Sequence, residues 1–172
     1  MAYQPMLLKT DRLMITEFDE AMATAVHLNS LDADNRRFVP DEVFETVKSA
    51  LATIRWLRAS YANAAGPFVY PLLLPSGENI GYVQAVSLGK GWEIGYHIAK
   101  AYTGQGYATE AVTAFLPEIM GRLGITVMHG LTLFENHASK RVLEKCGFAL
   151  DYAGPGPYQG AERRICRYLY RA

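Results

Sequence analysis

A glycine-bearing segment, YTGQGYAT at 102–109, lies between a predicted strand and a predicted helix. Gly104 and Gly106 let the backbone turn tightly and approach a ligand closely. The free N–H groups at the start of a helix favour an anion such as a pyrophosphate. The two glycines could equally serve only the turn, because G-x-G alone is a weak signal. A dinucleotide site is not favoured, because Thr109 stands where G-x-G-x-x-G needs its third glycine.

A second segment, NHASKRVLEKCGF at 136–148, has the signals of a short capped helix. The Asn136 side chain can accept a backbone N–H near Ser139. Gly147 suits the left-handed position that closes a helix. These features occur in any capped helix, so the segment indicates a function only in combination with the glycine loop.

The cysteines and the remaining histidines do not indicate metal or disulfide chemistry. Cys146 and Cys166 stand far apart, without a Cys-x-x-Cys pattern or a Cys/His cluster. His27, His129 and His137 are separated and lack the spacing of metal ligands. We expect structural or surface roles for the three histidines, no disulfide framework and no metal.

Composition and charge exclude several classes of protein. The chain has 172 residues, of which 50% are hydrophobic, so we expect one domain over 1–172 with a sizeable core. Seventeen Lys plus Arg balance seventeen Asp plus Glu, which argues against a general nucleic-acid binder. The N-terminus does not resemble a secretory signal, and no stretch approaches about twenty apolar residues. We therefore expect a cytoplasmic protein that does not span a membrane.

The N-terminal third is predicted to hold one strand and two helices. Residues 11–18 alternate as a half-buried strand does, and Asp19 can cap a helix over about 20–30. The sequence PDE at 40–42 suits the start of a second helix, because it combines proline with acids. Apolar residues at spacings of three and four continue that helix to about Ala59.

The rest of the chain alternates strands with helices. Three antiparallel strands are predicted over 67–74, 80–88 and 92–99, with Pro71 marking an edge position or a bulge. The predicted elements that follow are a helix over 107–123 containing Pro117, a strand over 125–133 parallel to the one before it, a helix over 137–146, and closing strands over 148–153 and 163–170 that flank a turn-rich AGPGPYQG. This order predicts a mixed α/β (α+β) fold whose sheet has six to seven mostly antiparallel strands, with about four helices.

Taken together, the two segments resemble motifs of the GCN5-related N-acetyltransferases, or GNAT proteins, and within them of the RimJ/RimL-like branch. The motifs occur in the family's order, about thirty residues apart, each in the expected structural context. The opening KTDRLMITEF also resembles the first strand of that branch. The resemblance covers roughly residues 7–170 and is weakest between 30 and 66.

The resemblance implies a GNAT fold and acetyl-coenzyme A as co-substrate. In that fold the strands over 92–99 and 125–133 splay apart, and the pantetheine arm enters the gap between them. The implied contact residues are Ile98, Ala99, Thr103, Gly104, Gln105, Gly106, Tyr107, Ala108, Thr109, Asn136 and Ser139. Thr103 stands where the family often has Gln or Arg, which removes one side-chain contact and leaves the backbone donors.

Acetyl transfer to an amine needs a base, because an ordinary primary amine is protonated near neutrality. Glu93 shares one strand face with Gly95 and His97. It also falls where some members of the broader family hold a catalytic glutamate. We therefore expect Glu93 to be the base. The alternative is that a water chain takes the proton and that Glu93 is an ordinary solvated or ion-paired strand residue. His97 is a candidate acceptor contact, although a single strand histidine is more often structural.

The departing thiolate needs a proton or a hydrogen bond. Many GNAT enzymes supply it from a tyrosine, but Leu143 occupies that position here. In the RimJ/RimL-like branch a serine is thought to act instead, and Ser139 occupies its place. One turn into a helix, Ser139 could equally bond its own backbone.

Acceptor choice in this fold comes from the early helices and from the segments around 30–40 and 151–161. Tyr152 and Tyr158 are candidate substrate contacts in the second of these. The residues do not select among a protein N-terminus, a lysine, a polyamine, an amino sugar or an antibiotic. Both a monomer and a homodimer fit the sequence.

The leading interpretation is an acetyl-coenzyme A-dependent N-acetyltransferase that transfers acetyl directly to a primary amine in a ternary complex. One alternative is a non-catalytic acyl-coenzyme A sensor. Another is an O-acyltransferase, or a transferase that uses a longer acyl chain.

Overall fold

The structure is a computed structural model that describes residues 3–172. Its strands are β1 (Leu8–Lys9), β2 (Met14–Ile15), β3 (Phe68–Leu73), β4 (Asn79–Ser87), β5 (Trp92–Ile98), β6 (Val127–Leu133), β7 (Ala149–Tyr158) and β8 (Ala161–Arg171). Its α-helices are α1 (Ala23–Ser30), α2 (Ala33–Phe38), α3 (Val47–Ser60), α4 (Tyr107–Leu123) and α5 (His137–Lys145). No helix among the described residues has the length and apolar character that crossing a bilayer requires.

All eight strands of the described chain form one sheet in the order β1-β2-β3-β4-β5-β6-β8-β7. Only β5 and β6 pair in parallel, and every other neighbouring pair is antiparallel. The predicted fold class, a mixed α/β fold with a mostly antiparallel sheet, is confirmed. Within residues 3–172 the eight strands and five α-helices exceed the predicted six to seven and four.

The sheet opens between β5 and β6, as the GNAT resemblance predicts. The two strands pair only at Glu93↔His129 and Ile94↔Gly130, although β5 continues to Ile98. Gly130 permits a close approach from α5, since a Cβ there would lie 2.8 Å from a methyl carbon of Leu143. Beyond this point β6 stays paired with β8 and leaves β5. The backbone of the last part of β5 therefore borders a gap.

Helix α4 packs on the sheet and fixes the position of the glycine loop. One face of α4 is buried, and its Phe115 ring meets the Tyr70 ring edge-on at a centroid distance of 5.7 Å. Each fully buried side chain of this size contributes about 1.5–3 kcal/mol. The predicted bounds 107–123 are confirmed, with Pro117 inside the helix. The N-terminus of α4 is thereby held at the open end of β5.

The N-terminal third departs most from the prediction. The strand predicted over 11–18 is wrong in extent, because only Met14–Ile15 is extended, as one arm of a short hairpin with Leu8–Lys9. Asp19 does cap the next helical segment, accepting from the Ala21 N–H at 2.8 Å. That segment starts as a 3-10 turn and continues as α1.

The predicted helix over 40–59 begins too early. Pro40–Glu42 forms a single 3-10 turn, and α3 begins only at Val47. Thr46 and Ser49 form a capping box, in which Thr46 Oγ1 accepts from the Ser49 N–H at 3.0 Å and Ser49 Oγ accepts from the Thr46 N–H at 3.3 Å. This cap satisfies two N–H groups at once, so the helix starts there. Helix α2, capped by Asp32, was not predicted.

The predicted turn AGPGPYQG is also wrong, because most of it is strand. β7 runs to Tyr158, and the turn contains only Gln159 and Gly160, with φ of +49° and +78°. β7 lies at the edge of the sheet, where a proline without an N–H costs no ladder bond. Pro155 and Pro157 are therefore tolerated within it.

Candidate active site

A cavity of about 820 Å³ lies at the gap between β5 and β6. This volume is in the range of small-molecule sites. Its walls come from segment 32–42, strand β5, the glycine loop 103–109, the start of α5, and the tip of β7. The cavity therefore brings together the two predicted motifs and both segments expected to select the acceptor.

The glycine loop presents a row of free donors. Gly104 and Gly106 have φ of +74° and +84°, a conformation that glycine adopts without strain. The six successive amide N–H groups of 104–109 have no hydrogen-bond partner in the described chain, and the ladder of α4 starts with Glu110 N–H to Gly106 O at 3.0 Å. Consecutive donors at a helix N-terminus fit a diphosphate.

Two side chains predicted to contact the co-substrate instead support the loop. The Thr103 hydroxyl donates to the Lys100 carbonyl at 2.9 Å. The Gln105 side chain lies outside the cavity, and its amide reaches the Ala101 carbonyl at 3.4 Å. The Gln105 side chain therefore lies away from the cavity, whereas Thr103 lines it beside the backbone amides.

An arginine that sequence reasoning missed supports the loop from behind. Arg12 Nη1 donates to the Gln105 carbonyl at 2.9 Å, and its Nε donates to Glu110 Oε2 at 2.7 Å. The guanidinium also lies 4.2 Å from the centroid of the Tyr107 ring. These contacts surround the loop without entering the donor row. The only sequence signal was the resemblance of the opening strand, since no local pattern links residues so far apart.

The backbone at the end of β5 is only partly available to a ligand. The Ala99 N–H donates to the Ile80 carbonyl at 2.7 Å, so the expectation that it is free for a ligand is corrected. Backbone groups alternate in direction along an antiparallel strand. Those of Ile98 therefore face the other side, toward the gap.

Asn136 and Ser139 form the predicted helix cap. Asn136 Oδ1 accepts from the Ser139 N–H at 3.1 Å. Ser139 Oγ lies 2.9 Å from the hydroxyl oxygen of Tyr96, which also donates to the Ser139 carbonyl at 3.0 Å. Burial raises the pKa of Tyr96, so its proton is retained. The sequence placed Tyr96 on β5 but did not identify it as a site residue.

Two carboxyls in the cavity titrate near neutrality. Burial raises the pKa of Glu93 to about 7. Burial, and then the charge of Asp41, raises the pKa of Glu42 to about 7, with the charge of Glu93 adding to the effect. Gln84 Nε2 donates to Glu42 Oε1 at 3.4 Å. A Cβ on Gly95 would lie 2.6 Å from Gln84 Nε2, so Gly95 makes room for this amide.

The three candidate acceptor contacts have different surroundings. His97 lines the cavity, but its Nε2 lies 3.0 Å from the Asn29 carbonyl oxygen, and burial lowers its pKa. Tyr158 also lines the cavity, and its hydroxyl donates to the Phe38 carbonyl at 2.5 Å, which joins β7 to the end of α2. Tyr152 lies outside the cavity and donates to the Pro155 carbonyl at 2.7 Å, which corrects its expected role.

Within residues 3–172, no group of three or more His, Cys, Asp or Glu side chains is arranged to hold a metal ion. Cys146 and Cys166 are both free thiols, and Cys166 is buried.

Comparisons with known proteins match most of the chain. A family model described as an acetyltransferase (GNAT) domain matches residues 12–149. The uncharacterized N-acetyltransferase YoaA of Bacillus subtilis is 26% identical over 145 residues, covering 83% of this chain and 82% of its own. The GNAT acetyltransferase structure from Bacillus anthracis has a TM-score of 0.80 at 23% identity, covering 96% and 98% of the two chains.

The structural neighbours also include RimL. A structure of this ribosomal L7/L12 alpha-N-protein acetyltransferase in complex with coenzyme A has a TM-score of 0.83 at 18% identity. The alignment covers 96% of this chain and 98% of RimL. The fold predicted from the RimJ/RimL-like motifs is therefore the fold that the structure has.

Proposed function

The chain belongs to the GNAT family of acetyltransferases, and on that premise we propose that it acetylates a primary amine, either a protein N-terminus or a small-molecule amine. It is an acyltransferase, and acetyl-coenzyme A is its acyl donor. The observation that carries the proposal is the position of Glu93. This carboxyl, with its pKa raised to about 7, lines the same cavity as the free amides of the glycine loop.

The donor end of the site is assigned to backbone groups. The amides of 104–109 would hold the pyrophosphate, and the backbone of Ile98 would pair with the pantetheine arm beside Asn136. When bound, acetyl-coenzyme A supplies a thioester whose carbonyl carbon bonds to the amine nitrogen while the carbon–sulfur bond breaks. The chain acts as one domain, and acetyl passes directly to the acceptor in a ternary complex.

At the acceptor end, Glu93 is assigned the role of base. A carboxyl with a pKa of about 7 is about half ionised at neutral pH, so it can accept the proton of an incoming ammonium group. Proton acceptance by Glu93 raises the fraction of neutral amine that can react.

Stabilisation of the leaving thiolate is assigned to the Tyr96–Ser139 pair. Ser139 Oγ can donate a hydrogen bond to the departing thiolate, and the Tyr96 hydroxyl, which keeps its own proton, lies 2.9 Å from Ser139 Oγ and orients it. This pair takes the role in stabilising the thiolate that a tyrosine at the position of Leu143 has in many GNAT enzymes. Leu143 is fully buried in the core, so it takes no part.

The proposal is tested by incubating the protein with acetyl-coenzyme A and an array of amines, peptides and aminoglycosides, and by measuring thiol release and acetylated product. Glu93→Gln is expected to reduce kcat by about 10²-fold near neutral pH while coenzyme A affinity is retained. Glu45→Gln is the matched control, because Glu45 pairs with Arg36 on the surface. Thiol release without any acetylated amine, or full activity of Glu93→Gln, would contradict the proposal.

A further inference from the structure

One wall of the cavity carries unbalanced negative charge. Five carboxylate side chains line the cavity: Asp32, Asp34, Asp41, Glu42 and Glu93. Asp34 pairs with Lys100 at 2.9 Å. None of the other four forms an ion pair with a Lys or Arg among residues 3–172. We call these four residues the acidic wall. Arg141 and Lys145 also line the cavity, but they come from α5, beside the donor site.

Two buried acceptor atoms of this region lack a donor in the described chain. Asn35 is 3% exposed, and its Nδ2 donates to the Ser30 carbonyl at 2.9 Å and to the Glu42 carbonyl at 3.3 Å. These two bonds fix the orientation of the amide, and Asn35 Oδ1 is left without a partner. Asp32 Oδ2 is buried and unpartnered as well. Both side chains line the cavity, and a buried acceptor without a donor costs about 1–3 kcal/mol.

From these two observations we propose that the acceptor is a primary amine that carries a second cationic group. The inference rests on the proposed function and names the chemistry of its substrate. The reacting ammonium would meet Glu93. A second ammonium or guanidinium group would donate to the remaining carboxylates of the acidic wall and to Asn35 Oδ1.

The charge balance favours a dication over a monocation. A single ammonium group balances one carboxylate, for example Glu93. It leaves the half-buried Asp32 and Glu42 without a counter-ion, whereas Asp41 is exposed to solvent. The nearest positive candidate on the wall is His97, whose Nε2 is 3.8 Å from Asp32 Oδ2. Burial lowers the pKa of His97, so it is neutral at physiological pH and supplies no charge. A second cation on the substrate supplies the positive charge that the chain does not place beside the acidic wall.

The same chemistry occurs in two kinds of molecule, a small diamine and a short basic peptide. The test therefore compares kcat/KM for cadaverine with that for n-pentylamine, and for the dipeptide amide Ser-Lys with that for Ser-norleucine, at saturating acetyl-coenzyme A. We expect at least one dication to be favoured over its matched monocation by about tenfold or more. The pair that shows the preference identifies the source.

Two substitutions assign the preference to the acidic wall. Glu42→Gln and Asp32→Asn each remove a charge, and Asn keeps the helix cap that Asp32 provides to α2. Each is expected to lower the ratio of dication to monocation kcat/KM by about fivefold or more. Glu45→Gln is the control and should leave the ratio unchanged, because Glu45 lies on the surface paired with Arg36.

The outcomes separate this inference from the proposed function. Acetylation of both members of each pair with equal kcat/KM overturns the inference and leaves the function standing. If no amine is acetylated, the proposed function fails. Calorimetry of cadaverine and n-pentylamine against the coenzyme A complex then decides the inference. Tighter binding of cadaverine supports it, and equal or absent binding overturns it.

Discussion

The hydroxyl oxygen of Tyr96 lies 2.9 Å from Ser139 Oγ, and the Tyr96 hydroxyl donates to the Ser139 carbonyl at 3.0 Å. Tyr96 belongs to β5 and Ser139 to the first turn of α5. The pair therefore bridges the two elements at the point where β5 separates from β6. This bridge places a hydroxyl group beside the gap into which the thioester would enter.

Removal of either hydroxyl tests the stabilisation of the leaving thiolate that is assigned to this pair. We expect Tyr96→Phe and Ser139→Ala each to lower kcat by about tenfold or more while coenzyme A affinity changes little. In the double variant the losses should not multiply, because the two groups act as a unit. The measurement is steady-state kinetics of thiol release, with Tyr152→Phe as the control outside the cavity. Multiplicative losses would show that the two hydroxyls act separately.

The pH profile of kcat tests the base. Since the pKa of Glu93 is raised to about 7, activity should rise with pH through this region as the carboxyl ionises. Glu93→Gln is expected to abolish this limb of the profile and to leave lower activity that does not depend on Glu93. If the limb persists in the Gln variant, another group is the base.

The free energy of unfolding should also depend on the ionisation of the buried Glu93 carboxyl. The pKa of Glu93 is raised from 4.5 to about 7, so the folded state binds more protons than the unfolded state between these values. Stability conferred by the protonated carboxyl is therefore lost as pH rises through this window. At about pH 8, Glu93→Gln should be more stable than the wild type, by at most about 3 kcal/mol. Denaturant unfolding at that pH and below about pH 4, where the difference should vanish, is the measurement.

Arg12 is expected to position the glycine loop. Arg12→Ala removes the donors to the Gln105 carbonyl and to Glu110, and the loop loses this support. We expect KM for acetyl-coenzyme A to rise by about tenfold with a smaller change in kcat. Arg122→Ala is the control, because Arg122 donates to the Gln4 carbonyl at 2.7 Å at the other end of α4. Equal effects of both substitutions would indicate general destabilisation instead.

The parts of the fold that local signals encode were predicted well. Helix α4 begins after Gly106 and ends at Gly124, both in the left-handed conformation. Helix α5 is defined by the Asn136 cap and by Gly147, whose φ is +88°. Such signals act within a few residues, so a sequence shows them directly.

Errors arose where local signals compete or where distant elements decide. Pro40 and Thr46 both suit a helix start, and the reciprocal bonds of Thr46 with Ser49 select the later position. Pro155 would break an inner strand but is tolerated because β7 is an edge. The capping-box bonds decide the first case, and the position of β7 at the sheet edge decides the second. The spacing of apolar residues and prolines shows neither.

In the candidate site, too, residues marked by local signals were predicted and residues brought in by distant elements were not. Glu93 and the glycine loop were identified from alternation and motif, and both line one cavity. Arg12 was missed because its partner Glu110 is 98 positions away in the chain. Glu42 was assigned to a helix, whereas the fold buries it near Glu93 and thereby raises its pKa to about 7. Only the tertiary structure brings these groups together.

Calorimetric titration of Gly106→Val with coenzyme A tests whether the amides of 104–109 bind the diphosphate of coenzyme A. A valine at φ +84° is strained, so the backbone of the donor row should be displaced, although a Cβ there would make only van der Waals contact with Arg12 Nη2, at 3.5 Å. Gly77→Val places the same residue at φ +87° in a turn outside the cavity, and it serves as the control. We expect Gly106→Val to lose about tenfold or more in affinity for coenzyme A, while Gly77→Val binds as the wild type does. Wild-type affinity in a folded Gly106→Val variant would contradict this expectation.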